Sequence, residues 1–123
     1  MLGDQNDDNF LLKVKETVGD IDILIDDGSH INRHIIHSYQ VLKESVKKFY
    51  VVEDLLTSYE TNNQHKIRDI WPGQKYNDEN DDLKNYRHEI EDWFTKEIRL
   101  LDAKNTMWNS LHFHAWIMIL EKI

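Results

Sequence analysis

The chain has 123 residues, of which 40% are hydrophobic and 31% charged, and a formal net charge of −8. This composition is typical of one soluble globular domain or of part of a larger one, and the negative charge argues against a nucleic-acid partner, which requires clustered Lys and Arg. We expect no membrane partner and no secretory signal, since no apolar run approaches the roughly 20 residues that span a bilayer; the lack of cysteine excludes disulfides and thiolate sites and is compatible with a cytoplasmic setting.

The first two predicted elements lead into a polar loop. Residues Asp7 to Val18 carry apolar side chains at helical spacing, and Gly19 is a typical helix end. The apolar run Ile21 to Ile25 follows as a buried strand. It stops abruptly at a group of polar residues, which are Asp26, Asp27, Gly28, Ser29 and His30. A strand that delivers polar groups to a loop before a helix is typical of an α/β protein.

A second strand ends in the same way. After a predicted helix with Asn32 as its cap and an apolar stripe at Ile35, Tyr39, Leu42 and Val46, the strand Phe49 to Glu53 runs into Asp54. Because a helix connects the two strands, we expect them to be parallel neighbours. Their acidic ends would then lie at one edge of the sheet, where ligands of open α/β sheets bind.

The rest of the chain is less regular. Residues 55–80 show no periodicity and are interpreted as a substrate-facing loop, with a mobile surface excursion as the alternative. A helix is predicted around Ile90, then a short strand at Ile98 to Leu101 and a final strand at Leu111 to Glu121. We expect these two strands to form an antiparallel pair, with the last one central and covered on both faces.

Two phrases resemble a known family. Ile-Asp-Asp-Gly-Ser-His at 25–30, followed by a helix and by Tyr-Val-Val-Glu-Asp-Leu-Leu-Thr-Ser-Tyr at 50–59, looks like the metal-dependent O-methyltransferases that act on macrolide sugars, of the mycinamicin and tylosin type. Gly3-Asp4-Gln5 and the segments at Leu111-His112-Phe113 and Glu121-Lys122 resemble the flanking segments of the same family. The resemblance covers most of the chain, apart from Glu60 to Asn80.

The resemblance implies an α/β fold, the partial Rossmann-like fold of methyltransferases, in which parallel strands are followed by an antiparallel C-terminal hairpin. Residues 1–123 would be a single domain that corresponds to the C-terminal half of a class I methyltransferase domain. No segment resembles the glycine-rich turn that carries S-adenosylmethionine, so the first βαβαβ half is expected to be missing. Either the sequence begins inside a longer enzyme or it is a truncated gene product.

The resemblance also implies roles for individual residues. Asp27, Glu53 and Asp54 match the family's Mg²⁺ ligands, and His30 matches its catalytic base. Contacts with the S-adenosylmethionine cofactor are implied for three further residues, which are Asp4, Gln5 and Asp26. The substrate would be a sugar or another small-molecule hydroxyl. The chemistry is sensible in itself, because Mg²⁺ prefers oxygen ligands and an imidazole can take a proton near neutral pH.

Two alternatives stay open at this point. His112 and His114 project to the same side of a strand and could join the carboxylates in a metal-dependent hydrolase or phosphoesterase, although such a pair is more commonly a packing feature. A non-catalytic remnant of the fold is the other alternative. Because the first half of the methyltransferase fold is expected to be missing, the outer edge of the strand Ile21 to Ile25 would lack its neighbour, and we expect the isolated chain to self-associate through that open edge or to be only marginally stable.

Overall fold

A computed structural model describes residues 1–59 and 85–123. The elements in chain order are α1 (Asp8–Val18), β1 (Ile21–Asp26), α2 (Asn32–Leu42), β2 (Val46–Val52), α3 (Arg87–Asp102), β3 (Trp108–His114) and β4 (Ile117–Lys122). Short 3₁₀ turns at Lys43–Ser45 and Leu55–Tyr59 precede and follow β2. Among the helices described, none has the length and apolar character needed to cross a membrane.

The described strands form a four-stranded sheet in the order β1-β2-β4-β3. β1 and β2 are parallel, β2 and β4 are antiparallel, and β3 and β4 form an antiparallel hairpin. The predicted α/β architecture, in which parallel strands precede an antiparallel hairpin, is therefore confirmed. In this sheet β1 is an edge strand.

The first helix follows its local sequence signals. The Asp7 side chain caps α1 by accepting hydrogen bonds from the backbone N–H groups of Asn9, at 2.8 Å, and Phe10, at 3.4 Å. The helix ends at Gly19, whose φ of +68° is in the region that only glycine adopts without strain. These signals lie within a few residues of each helix end, which is why the sequence predicts this element well.

The predicted N-cap residue of α2 and the predicted first residue of β2 are both wrong. Ile31 is the N-cap residue, and Asn32 is the first residue of the helix, with its buried side chain bonded to other segments. Val46, which continues the apolar stripe in the sequence, is the first residue of β2. Val46 is fully buried. A core residue that follows the Lys43–Ser45 turn therefore looks, in the sequence, like a residue on the apolar face of one more helical turn.

The predictions for the last third of the chain are wrong in detail. Ile98 to Leu101 are part of α3 and not a strand, because the 16-residue helix simply continues through this apolar run. The predicted single strand Leu111 to Glu121 is divided by a turn at Ala115 and Trp116, where Trp116 has a φ of +66°. This turn contains neither glycine nor proline, so it carries no sequence signal of the usual kind.

The helices pack against one face of the sheet. The core on this face contains residues from all three helices, from β2, β3 and β4 and from the 3₁₀ turn after β2, which are Leu11, Ile35, Tyr39, Leu42, Val46, Tyr50, Val52, Leu55, Ile90, Trp93, Phe94, Trp108, Met118 and Leu120. At its centre, the Tyr39 hydroxyl accepts a hydrogen bond of 2.8 Å from Trp108 Nε1. This packing fixes the end of β2 relative to α2 and α3, the elements that surround the acidic loops.

The opposite sheet face is only partly covered by the described residues. We define this opposite face by six paired positions, which are Ile23, Ile25, Phe49, Val51, Ile117 and Ile119. Ile23 and Ile25 are 54% and 56% exposed, whereas Met118 and Leu120 on the core face are fully buried. The prediction that the last strand is central is correct, but within the described part of the chain only its Met118 and Leu120 side is buried.

Candidate metal and cofactor site

The loops after β1 and β2 bring three of the predicted site residues together. Asp27 and His30 follow β1, and Asp54 follows β2. Possible ligand atoms of these three side chains all lie within 4.8 Å of one another. His30 Nε2 is 3.8 Å from Asp27 Oδ1 and 3.7 Å from Asp54 Oδ2. We refer to Asp27, His30 and Asp54 as the metal cluster.

Glu53 is not part of this cluster, although the resemblance implies that it is a metal ligand. It is half-buried at the end of β2, and its backbone N–H donates to the Asp26 carbonyl at 3.0 Å. Among the described residues, the group of ligand atoms that lie within 4.8 Å of one another comprises Asp27, His30 and Asp54 and does not include Glu53. The structure therefore assembles Asp27 and Asp54 with His30, and leaves Glu53 outside.

The metal cluster combines partial burial with an unusual backbone. The His30 side chain is only 12% exposed, compared with 28% for Asp54 and 60% for Asp27. His30 and Asp54 have φ values of +57° and +53°. This left-handed conformation is uncommon for residues other than glycine and persists only where the surroundings enforce it.

A buried polar network lies beneath these two residues. The His30 carbonyl accepts hydrogen bonds from Asn85 Nδ2, at 2.8 Å, and from Thr57 Oγ1, at 3.1 Å. Thr57 Oγ1 is also 3.2 Å from the Asp54 carbonyl. Asn85 Oδ1 in turn accepts from the backbone N–H of Asn32 at 2.7 Å, and Asn85 Nδ2 donates to the Thr57 carbonyl at 3.0 Å.

No sequence motif predicts this network. Thr57 is inside the second resembling phrase, but a single threonine after a strand has many ordinary roles. Asn85 is 55 positions from His30, and no periodicity or motif connects the two. Only the packing of the N-terminus of α3 against the acidic loops brings them together.

The predicted cofactor residues Gln5 and Asp26 bind each other. Gln5 Nε2 donates to both carboxylate oxygens of Asp26, at 2.7 and 2.8 Å, and its Oε1 accepts from the Ser29 backbone N–H at 2.9 Å. The Ser38 hydroxyl donates to Asp26 Oδ2 at 2.7 Å. Burial raises the pKa of the Asp26 carboxyl above its ordinary value, an effect that the bonds from Ser38 and Gln5 oppose.

Asp4, the third predicted cofactor residue, is exposed. Its Oδ1 accepts a hydrogen bond from the Asn6 backbone N–H at 2.8 Å. It lies between Gly3 and Gln5, which both line a pocket of about 480 Å³ along β1. The wall of this pocket is mainly apolar and includes Phe10, Leu11, Val14, Ile21, Ile23, Leu24, Ile25 and Leu42. Asp26, Asp27 and Gly28 form its polar end.

The histidines of the alternative hydrolase site are not part of the metal cluster. Among the described residues, neither His112 nor His114 has a ring nitrogen in the group of ligand atoms that lie within 4.8 Å of one another. His112 Nε2 is 2.9 Å from Ser110 Oγ, which donates to Glu121 Oε2 at 2.6 Å. That hydrogen bond lowers the pKa of the exposed Glu121 carboxyl. These residues form a surface hydrogen-bonded group on the hairpin.

The comparisons with known proteins agree with the resemblance. No family model matches the chain. It is 42% identical over 73 residues to mycinamicin VI 2''-O-methyltransferase of Micromonospora griseorubida, which is 58% of this chain and 16% of that protein. It is 41% identical over 75 residues to demethylmacrocin O-methyltransferase of Streptomyces fradiae, 59% of this chain and again 16% of the relative. The matched segment thus spans about a sixth of the length of these relatives.

Solved structures show the same relationship over nearly the whole chain. MycE methyltransferase from the mycinamycin biosynthetic pathway, in complex with Mg and SAH, superimposes with a TM-score of 0.68 at 29% identity, covering 99% of this chain and 31% of that chain. Its complex with Mg, SAH and mycinamycin VI gives a TM-score of 0.70 at 28% identity, with the same coverage. In sequence over more than half its length, and in fold over almost all of it, the chain is therefore similar to part of the macrolide-sugar O-methyltransferases, as its motifs indicate.

Proposed function

We propose that this chain carries the metal-binding part of an S-adenosylmethionine-dependent, Mg²⁺-dependent O-methyltransferase that acts on a sugar hydroxyl. The observation that carries this proposal is the assembly of Asp27, His30 and Asp54 at the carboxyl ends of two parallel strands, the edge at which open α/β sheets bind ligands. It is supported by the fold, which is shared with a methyltransferase that binds Mg and SAH. Since the chain covers 31% of that relative, the activity is proposed for a protein that contains this unit.

The metal cluster fits a divalent cation. Asp27 and Asp54 supply carboxylate oxygens, the ligand type that Mg²⁺ prefers, and few protein ligands are needed because Mg²⁺ usually keeps several water molecules. The His30 Nε2 atom lies within 4 Å of both carboxylates, close enough to act on a group held there. When bound, the ion would lower the pKa of a hydroxyl and orient it.

His30 is the proposed general base. Its ring is largely buried, so it is held in place, and Nε2 faces the two carboxylates. A base must reach the proton that it removes, and this ring nitrogen is the one directed at the cluster. His30 would accept the proton of the sugar hydroxyl and release it to solvent. The carboxylates of Asp27 and Asp54 would meanwhile hold the cation.

The predicted cofactor residues fit S-adenosylmethionine in a changed role. Gln5 and Asp26 are engaged with each other and with Ser38, so we propose that they form the wall of the cofactor site and do not present free groups to it. Asp4 is exposed beside this wall, and its carboxylate accepts one backbone hydrogen bond, which leaves acceptor capacity for a hydroxyl or ammonium group.

Metal binding tests this proposal. We expect calorimetric titration of Mn²⁺ into the chain to show one site, with affinity lowered at least tenfold in Asp27→Ala and in Asp54→Ala, because each removes a carboxylate from the metal cluster. Asp22→Ala is the matched control, since Asp22 is an exposed carboxylate on β1 that pairs with Lys48. Equal affinity in all four proteins would rule the site out and favour a non-catalytic remnant.

A further inference from the structure

The left-handed backbone of His30 and Asp54 requires a physical cause. Neither residue is glycine, and each such conformation costs of order 1 kcal/mol or more. Both residues belong to the metal cluster, so the direction in which their side chains point depends on this backbone. The groups that bind their carbonyl oxygens can supply this cause, because fixing the direction of a carbonyl restricts the backbone torsion angles of its residue.

The Thr57 hydroxyl contacts the carbonyls of both residues, and the Asn85 side chain contacts the carbonyl of His30. The Thr57 hydroxyl lies 3.1 Å from the His30 carbonyl and 3.2 Å from that of Asp54, and so connects the loop after β1 to the loop after β2. Asn85 Nδ2 donates to the His30 carbonyl at 2.8 Å. Thr57 is 2% exposed and Asn85 is 6% exposed, so water does not compete effectively for these bonds.

Asn85 is itself held from a third direction. Its Oδ1 accepts from the Asn32 backbone N–H at 2.7 Å, and the Asn32 side chain donates to the Tyr86 carbonyl at 3.1 Å. Asn85 therefore fixes the start of α2 and the start of α3 to the His30 loop. A side chain that makes three hydrogen bonds in a buried site cannot shift without losing several of them.

We propose that Thr57 and Asn85 are positioning residues, which hold His30 and Asp54 in the left-handed conformation that brings their side chains to Asp27. Neither side chain is a member of the metal cluster. They act through the backbone of two residues that are. The proposal rests on the proposed function for its purpose, but the conformation that it explains exists without any metal.

The chain offers closely matched variants. Thr57→Val removes the hydroxyl and keeps the shape, whereas Thr57→Ser keeps the hydroxyl. Ser58→Ala is the control, because Ser58 is fully buried in the same turn but its hydroxyl has no hydrogen-bond partner among residues 1–59 and 85–123. Asn85→Asp replaces the donor to the His30 carbonyl and keeps the acceptor that faces Asn32. It is a second, independent variant.

The test combines two measurements with thermal unfolding. In NMR spectra of the metal-free protein, a positive φ gives a strong intraresidue Hα–HN cross-peak, which we expect at His30 and Asp54 in the unmodified chain, in Thr57→Ser and in Ser58→Ala. We expect it to weaken in Thr57→Val and in Asn85→Asp. Mn²⁺ affinity should fall about tenfold or more in those two variants, the usual effect of losing an outer contact of a metal site.

The outcomes are distinct. Unchanged cross-peaks and unchanged Mn²⁺ affinity in Thr57→Val would overturn the proposal. This holds even if the melting temperature of Thr57→Val falls, because a lower melting temperature alone would show only a structural role. The proposal would be equally overturned if Ser58→Ala lost as much affinity as Thr57→Val. If the unmodified chain does not bind Mn²⁺ but the cross-peaks change as expected, the positioning role stands and the proposed function fails.

Discussion

The side-chain amide of Gln5 donates to both carboxylate oxygens of Asp26, at 2.7 and 2.8 Å. This contact joins the segment before α1 to the end of β1, 21 positions further along the chain. It also places Gln5 against Gly28, since the same amide group bonds to the backbone N–H of Ser29. The N-terminal segment is thereby fixed beside the loop that carries Asp27 and His30.

Gly28→Ala is expected to destabilise the chain. A Cβ atom at this position would collide with the Gln5 side-chain amide, which would have to leave Asp26. We expect the loss of these hydrogen bonds to a buried carboxylate to cost about 1–3 kcal/mol. Chemical unfolding of Gly28→Ala, of Gln5→Ala and of the double variant measures this loss of stability. In the Gln5→Ala background the added methyl group should lower the free energy of unfolding only slightly. Additive effects would show that the clash is not with Gln5.

The contribution of Asp26 to the stability of the chain is expected to fall as the pH rises through the folded-state pKa of this carboxyl. Burial raises this pKa, so the folded state favours the protonated carboxyl, and the stability present below the unfolded-state pKa is lost at higher pH. Ser38→Ala removes a donor to the carboxylate and should raise the pKa further. Carbon NMR titration of the Asp26 carboxyl reports the shift directly.

Thermal unfolding from pH 3 to pH 7 then checks the sign. The melting temperature of Ser38→Ala should fall further below that of the unmodified chain as Asp26 ionises, because the lost hydrogen bond favours the charged form. Thr17→Ala is a suitable control, since its hydroxyl donates to the Lys13 carbonyl on the exposed face of α1. Parallel curves for the Ser38→Ala and unmodified chains would contradict the argument.

The part of the fold that the sequence predicts is the part with local causes. Asp7 and Gly19 delimit α1 through contacts within a few residues, and the parallel pairing of β1 with β2 follows from the length of the helical connection between them. The carboxyl ends of these strands follow directly from that pairing. Asp27 and Asp54 could therefore be placed at one edge without any structural information.

What the sequence does not predict depends on contacts between distant segments. Ile98 to Leu101 has the composition of a short strand, but it is the last part of a helix whose buried side includes Trp93 and Glu97. The left-handed backbone of Asp54 has no signal in the sequence either, and its carbonyl is bonded to Thr57, a residue to which the sequence assigns no role. The predicted loop at 55–80 begins with the 3₁₀ turn Leu55–Tyr59; its residues 60–80 lie outside the described residues.

The role of Glu53 is open to a direct test. If its carboxylate is not a ligand, in line with its place outside the group of neighbouring ligand atoms found among the described residues, Glu53→Gln should bind Mn²⁺ within about twofold of the unmodified chain, whereas Asp54→Asn should lose at least tenfold. Both substitutions keep the size of the side chain and remove one charge, so they are matched. An equal loss in both variants would show that Glu53 turns toward the ion when it binds, as the resemblance implies.

The last prediction concerns the open edge of β1 and the opposite sheet face. Within the described part of the chain, β1 pairs with β2 on one side and with no strand on the other, and Ile23 and Ile25 on this strand are 54% and 56% exposed. An exposed apolar edge strand is a template for pairing with another chain. We therefore expect the isolated chain to associate as its concentration rises, which light scattering over a concentration series measures.

A lysine at the edge should prevent this association, because edge strands are commonly protected by charge. Ile23→Lys is the variant, and Ile98→Lys is its matched control, since Ile98 is an isoleucine on α3 with a similar exposure of 48%. We expect Ile23→Lys to shift the chain toward monomer and Ile98→Lys to leave its association unchanged. An equal shift in both variants would attribute the effect to net charge alone, and a monodisperse, cooperatively melting monomer at high concentration would show that β1 is not an adhesive edge.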